Sequence, residues 1–440
     1  MYNRNMDGQN LEQNMEVPEV PSGVSSASDI PEVLGGEEKD KKGKKGLFAG
    51  VSVTILVAIM VSVGVTMWMQ SNKSSEMDSG TTIADETGNE TTNTELSSGT
   101  VTTTIGGKSV TYKAKYVVDG IKATIDGGTY ESDSDDEVVF LVINGGELAL
   151  ENATVNKTGS ADFLGRGDSY SFYGTNSAIV VVGEGSEVGL SNVTINTSVN
   201  GANAVVATNG GSVVFGEISI ATSGDSSRGL HATYGGSIVG NGGTISTIGQ
   251  SCASLATDRG TGTVKVSGMT LSTAGAGSPL IYSTGEISVS SSTGTATGAQ
   301  IAVVEGKNSI TVNDCYFSAN GVGNRNNVDN AGVMIYQSMS GDADEGVGSF
   351  TAKDSTLEVL ETSEVYTTTP FFFITNTEAE VSLSNVDLSF YEDGYFVMAT
   401  GTEEWGKSDS NGGKVTFSVS GLTATNYKIG VDSISSVSGL

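Results

Sequence analysis

GGSVVFGEISIATSG (210–224) is followed, 25 residues on, by GGSIVGNGGTISTIG (235–249). Each opens on a glycine pair, alternates apolar and polar residues, breaks at a small turn and alternates again. Alternation of period two marks a β-strand with one face buried. The same half-motif stands earlier at 145–159 (GGELALENATVNKTG) and 185–199 (GSEVGLSNVTINTSV). It returns at 262–275 (GTVKVSGMTLSTAG), 285–298, 308–321, 348–361, 379–392 and 413–426. Between the copies lie short apolar strands: SAIVVVGEG (177–185), ANAVVATNGG (202–211), RGLHATYGG (228–236), ASLATDRGTG (253–262) and SPLIYSTGE (278–286). Val205, Leu230, Leu255 and Leu280 recur at intervals of 25. A coil of three strands cannot bury its inward residues alone, but stacked coils make one apolar column, so this period predicts a parallel β-helix.

The turn inside the half-motif supports the same reading. Asn152, Asn192, Gly268, Asp314, Asp354, Asn385 and Gly421 occupy one place between two strands. These residue types best tolerate positive φ, so a left-handed kink at that corner is expected. Antiparallel hairpins, the alternative, need two-residue turns and no fixed column. Wider gaps predict loops leaving the helix body at 160–176, 322–330, 339–347 and 362–369. The β-helix is expected over 109–440, with roughly 10–12 coils and a rod of about 50–60 Å.

Composition agrees with an all-β chain. Glycine is abundant at 60, proline scarce at 5, and aromatic residues make up 7%. The net charge is −29; residues 1–46 hold 6 basic and 9 acidic side chains, which leaves 16 basic and 42 acidic beyond them, a net of −26. Such a surface repels polyanions, which excludes nucleic acid as a partner. The two cysteines, Cys252 and Cys315, fall between two and three coils apart, roughly 10–14 Å, too far for a disulfide. Both read as small buried hydrophobes. One histidine, His231, excludes a zinc site of several histidines.

Residues 47–69 (LFAGVSVTILVAIMVSVGVTMWM) carry no charge. As a helix this segment spans about 34 Å, enough to cross a bilayer. It is longer than the apolar core of a cleavable signal peptide and lacks a small-residue cleavage site, so a signal anchor is expected. The basic run Lys39-Asp40-Lys41-Lys42-Gly43-Lys44-Lys45 precedes it, which predicts a cytoplasmic N-terminus and an extracellular C-terminal domain at the cell membrane. Residues 1–46 read as a disordered cytoplasmic tail and 70–108 as a disordered Ser/Thr-rich stalk.

The copies between Asn176 and Gly321, with SRGLHATYGG and LATDRGTG, resemble bacterial adhesin-like surface proteins built of right-handed parallel β-helix repeats. This pectate-lyase-like likeness extends over about three quarters of the chain. It implies a right-handed, single-stranded helix and a surface role, and brings no catalytic motif with it.

The polar residues that stand out are Arg228, His231, Asp258 and Arg259, on adjacent coils. On one outward face they would bind a sugar or sulfate, or abstract a proton as a lyase does; a structural Arg–Asp pair between coils is the plainer reading. A glycosidase needs two placed carboxylates, and Asp258 and Glu305 offer no clear register. Arg166-Gly167-Asp168 falls in an expected loop, where it would be a recognition tripeptide if exposed. The acidic runs 131–137 (ESDSDDE) and 342–345 (DADE) lack calcium-loop spacing and read as solvated loops, leaving Ca²⁺ a weak option and no cofactor expected. Phe371-Phe372-Phe373 reads as core. The function expected is non-enzymatic, adhesin-like binding of carbohydrate or another cell surface; the alternative is a polysaccharide lyase or glycoside hydrolase.

Overall fold

The computed structural model describes residues 93–440 apart from 162, 321–330, 339–342, 361–368 and 403–411, together with two short strands, Ile83–Ala84 and Glu90–Thr91. The expected cytoplasmic tail, the membrane span 47–69 and residues 70–82, 85–89 and 92 of the stalk lie outside the described residues, as do 322–330, 339–342 and 362–368 of the expected loops.

The chain winds through two parallel sheets in turn. A short strand such as Val205–Thr208 enters one sheet, and a long one such as Ser212–Thr222 enters the other. Each strand then pairs with its counterpart one coil on: Val205 with Leu230, and Ser212 with Ser237. The short sheet has 13 strands, of which Gly99–Ile105 runs antiparallel to Lys108–Asp119 and the other twelve run parallel. Twelve strands set about 4.8 Å apart give a rod of roughly 53 Å. The long strands bend at their midpoints, so each coil has three straight segments. At the bend φ is positive in Asn152, Asn192, Gly268, Asp314, Asp354, Asn385 and Gly421, the column expected for it. Glu217 and Ser291 take the same conformation in their coils without the sequence announcing it.

Two expectations need correction. The column that starts at Val205, Leu230 and Leu255 continues to Ile281, not Leu280. One residue is added in the turn Arg259-Gly260-Thr261, where Gly260 and Thr261 both have positive φ, so that coil holds 26 residues. And Gly99–Ile105, inside the stretch assigned to the stalk, is a strand. A Gly106-Gly107 turn with φ of 55° and 77° folds it onto Lys108–Ala114. Only Val101 and Ile105 among its residues are large and apolar, too few to read as a strand alone.

Inward residues of every coil join one continuous apolar core from Val118 to Phe417. Columns within it trade volume: Phe215 lies between Leu190 and Gly240, and a methyl group on Gly240 would come within 2.3 Å of the Phe215 ring. Phe371, Phe372 and Phe373 are buried, as expected of core residues. Both cysteines are buried and free. Cys252 stands in a ladder with Ser227 and Ser278 in which each hydroxyl or thiol bridges consecutive coils. The Ser227 N–H donates to Cys252 Sγ at 3.0 Å, and the Cys252 N–H to Ser278 Oγ at 2.9 Å. Cys315 occupies a second such ladder between Ser292 and Ser355, its N–H donating to Ser355 Oγ at 3.1 Å.

The outer face of the short sheet is also covered near the N-terminal end. The hairpin 99–119 and the insertion 160–176 pack Ile105, Tyr112, Phe172 and Tyr173 against Val180, Val182 and Val206. That insertion, expected to be a loop, contains the helix Phe163–Asp168 and a π-helical turn, Ser169–Tyr173.

Candidate functional site

Arg228, His231, Asp258 and Arg259 do come together. His231 and Asp258 lie on consecutive short strands, on the face turned away from the main core. Arg228 Nη2 is 3.4 Å from Asp258 Oδ2, and the Arg259 N–H donates to Asp258 Oδ1 at 2.9 Å. His231 Nε2 is 4.0 Å from Asp258 Oδ2, beyond hydrogen-bonding reach. The face is not open, however. His231 is 0% exposed, Asp258 4% and Arg228 6%. Burial, with the Arg228 charge beside it, pushes His231 well below the ordinary histidine range, so the ring is neutral. The Arg259 guanidinium turns onto the Phe172 ring of the insertion, 3.7 Å from its centroid. Arg228, His231 and Asp258 are a packed interior cluster with the half-buried Arg259 at its edge, where the insertion lies against it.

Asp258 and Glu305 do share a register. Asp258 aligns with Thr284 through the Ala256–Tyr282 pair, and Thr284 with Glu305 through Ser283–Val304, so one column carries both carboxylates two coils apart. Glu305 is 0% exposed and accepts from the Tyr282 hydroxyl at 2.6 Å, the Tyr336 hydroxyl at 2.8 Å and the Ser338 hydroxyl. Burial, then the Glu305 charge, raises the Tyr282 phenol well above its usual range, which keeps it a donor. The tripeptide Arg166-Gly167-Asp168 is helical rather than an extended loop, and Arg166 pairs with Asp136. The acidic runs are engaged by their own neighbours. Asp135 accepts from the Ser160 hydroxyl at 2.7 Å and from its N–H at 3.1 Å, bonds that hold its carboxyl below the usual range. Asp344 pairs with Lys307 at 2.9 Å. Among the described residues no group of His, Cys, Asp and Glu is arranged to hold a metal.

The open surface lies elsewhere, on the second segment of the long strands. There two columns face solvent in register. One runs Thr154, Thr194, Ser219, Thr244, Thr270, Thr293; the other runs Asn156, Asn196, Ala221, Ser246, Ser272, Thr295. No charged residue enters either column over these six coils. Asn196 Nδ2 donates to Asn156 Oδ1 at 3.0 Å, and Ser219 and Thr244 hydroxyls meet at 3.4 Å. Beside the second column runs a groove of about 480 Å³, lined among others by Asn156, Asn196, Ser198, Ser223, Ser246 and Ile248. Ile248 is 58% exposed on its rim. The signal in the sequence is the set of uncharged Thr-x-Asn and Thr-x-Ser triplets at a fixed offset from the kink, which by themselves are indistinguishable from the polar half of any alternating strand.

No protein-family model matches the chain, and no curated protein matches it. Two solved structures align with it at 13% identity each. A TibC-catalysed hyper-glycosylated TibA fragment covers 74% of this chain and 100% of that chain, with a TM-score of 0.17. Endo-xylogalacturonan hydrolase from Aspergillus tubingensis covers 73% of this chain and 88% of that chain, with a TM-score of 0.20. Neither superposes closely enough to carry a site across. The β-helix stands on its own register.

Proposed function

We propose that this chain is a membrane-anchored, cell-surface β-helix of right-handed winding, the usual sense of parallel β connections, that binds carbohydrate without catalysis along the outer face of its long sheet. One observation carries this reading: two solvent-facing columns of hydroxyl and amide side chains, broken only by Ala221 and free of charge over six coils, beside an open groove. Sugars are recognised by many directional hydrogen bonds with modest apolar contact, and small hydroxyl and amide groups held on rigid strands supply the former with little ordering entropy. Ile248 supplies an apolar rim. A flexible polymer lying along the axis meets the same donors and acceptors once per coil, so weak contacts add.

The test is a glycan array probed with the full chain in detergent micelles, repeated with Asn196→Lys/Ser246→Lys. Binding by the parent chain and its loss in the double variant supports the reading; equal binding by both removes the groove from it. A second, enzymatic reading rests on Asp258 and Glu305 in one column. Their strands are roughly 10 Å apart, near the separation of an inverting carboxylate pair. Both are buried and committed to partners, which disfavours it. Release of reducing ends or unsaturated products by the full chain, abolished by His231→Ala, would reverse that preference.

A further inference from the structure

The buried cluster and the insertion above it have a shared peculiarity. Ser171 Oγ, Thr175 Oγ1, Asn176 Oδ1 and Ser177 Oγ, in or just after the insertion, are buried without hydrogen-bond partners. So are Arg228 Nη1 and both nitrogens of His231 beneath it. Most buried polar atoms in a folded protein find a partner, so the three orphaned nitrogens of Arg228 and His231 mark a cluster that is poorly satisfied in its closed form. None of the seven has accessible surface, so no ligand fits while the insertion is down.

The insertion is built to move as a unit. At one end Gly159 has φ of 102° and at the other Gly174 has φ of 72°, conformations that glycine adopts freely. Between them lies a π-helical turn, a rare element found mostly at functional sites. The unit is held by the apolar packing of Phe172 and Tyr173 and by polar bonds that include a donation from Asn203 Nδ2 to the Tyr170 carbonyl at 3.2 Å. Arg166 and the Tyr170 hydroxyl both bond Asp136. Thr233 Oγ1 donates to the Phe172 carbonyl at 2.8 Å, and the Tyr112 hydroxyl to the Tyr173 carbonyl at 2.7 Å. Tyr173 stacks on Tyr234 at 5.6 Å, and Arg259 on Phe172.

We propose that the helix Phe163–Asp168 and the turn Ser169–Tyr173 form a hinged cover, turning about Gly159 and Gly174, over a latent anion site formed by Arg228, His231 and Arg259 with Asp258 orienting Arg228. Among the described residues the charged groups of the cluster are the Arg228 and Arg259 guanidiniums and the Asp258 carboxylate, a local positive balance in a chain of net charge −29. Arginine forks match planar oxyanions, so the ligand class is a carboxylate or sulfate, as borne by an acidic sugar. Occupancy requires the cover to open, so apparent affinity is reduced by the fraction of molecules that are closed. This site is on the other sheet from the groove and does not depend on it.

His231, the sole histidine of the chain, reports the opening. Full chain in detergent micelles is treated with diethyl pyrocarbonate, and carbethoxyhistidine formation is followed by absorbance. Asp136→Gly cuts both latch bonds and suits the positive φ of 55° at that position; Arg166→Ala cuts one from the cover side. Modification is expected to speed up about tenfold or more in Asp136→Gly and less in Arg166→Ala, with hydrogen exchange in the core strand Leu255–Asp258 unchanged. Inorganic sulfate and an oligoglucuronate are then titrated separately. Either should bind Asp136→Gly about tenfold more tightly than the parent chain and slow the modification, and Arg228→Gln should abolish both effects. Binding of one probe alone assigns the anion to that source. Equal modification rates in parent and variants, or a rate equal to that of global unfolding, overturn the cover. Faster modification with no binding of either probe overturns the anion site.

Discussion

At Cys252 a thiol does what serine does one coil below and one coil above. Its sulfur accepts from the Ser227 N–H, and its S–H reaches the Gly224 carbonyl at 3.2 Å. Cys252→Ser should therefore keep the fold with a stability change within about 1 kcal/mol, whereas Cys252→Val leaves a buried N–H unpaired and should cost about 1–3 kcal/mol. Chemical denaturation of the two variants checks this. Burial pushes the Cys252 thiol up to about 12 and the Cys315 thiol to about 11, so neither should react with a thiol reagent at neutral pH before unfolding. His231 gives a pH dependence with a definite sign. Its folded-state pKa is depressed by burial well below the ordinary histidine value of about 6.5, so below that pH the unfolded chain binds a proton that the folded chain refuses. Its contribution to stability is complete above pH 6.5 and is lost as pH falls, by about 1.4 kcal/mol per unit. The difference in stability between the parent chain and His231→Asn should be flat above that pH and shift against the parent chain below it. A constant difference across pH 5–8 would show that the ring protonates in place.

At the scale of an element, the bend in each long strand is the feature most open to reading from sequence. Positive φ restricts the choice of residue, so Asn, Asp and Gly repeat there and leave a trace. Asn192 also donates to Asn152 Oδ1 at 2.8 Å, and Asn152 to Asp126 Oδ1 at 2.7 Å, one amide above the next. Asn192→Gly should be nearly neutral, while Asn192→Val should cost about 1–2 kcal/mol for the left-handed backbone alone, measured by thermal melting. Glu217 and Ser291 at equivalent bends are illegible because stacking neighbours, not their own preference, hold them there. The first strand of the hairpin, Gly99–Ile105, is illegible in the sequence because its buried side is sparse. The insertion is legible as a segment leaving the helix body at 160–176, but nothing in its residues says which face it will lie upon. That last omission also hid the fate of Arg228, His231 and Asp258. Their proximity followed from the 25-residue register; their burial followed from a segment outside it.

Across the whole molecule, each coil touches only its neighbours, so damage should stay local. Phe215→Ala removes a ring set against Gly240 and should cost about 3–5 kcal/mol. Hydrogen exchange should quicken most in Ser212–Thr222 and the adjoining strands Glu187–Thr197 and Gly236–Thr247, and fade within two or three coils. Uniform loss of protection from Lys108 to Val431 would mean that the rod unfolds as a single unit.

The equal coils at 205–229 and 230–254 have one more consequence. They begin on paired residues, Val205 and Leu230, and end at the same point of the winding. A second copy of 230–254 spliced in after Ser254 should meet strands already cut to its register. The protein would then be a ruler with removable graduations. Its reach would change in steps of about 4.8 Å per coil; the hairpin would stay where it is, while Asp258 and Arg259, which follow the splice, would move one coil away from Arg228 and from the insertion.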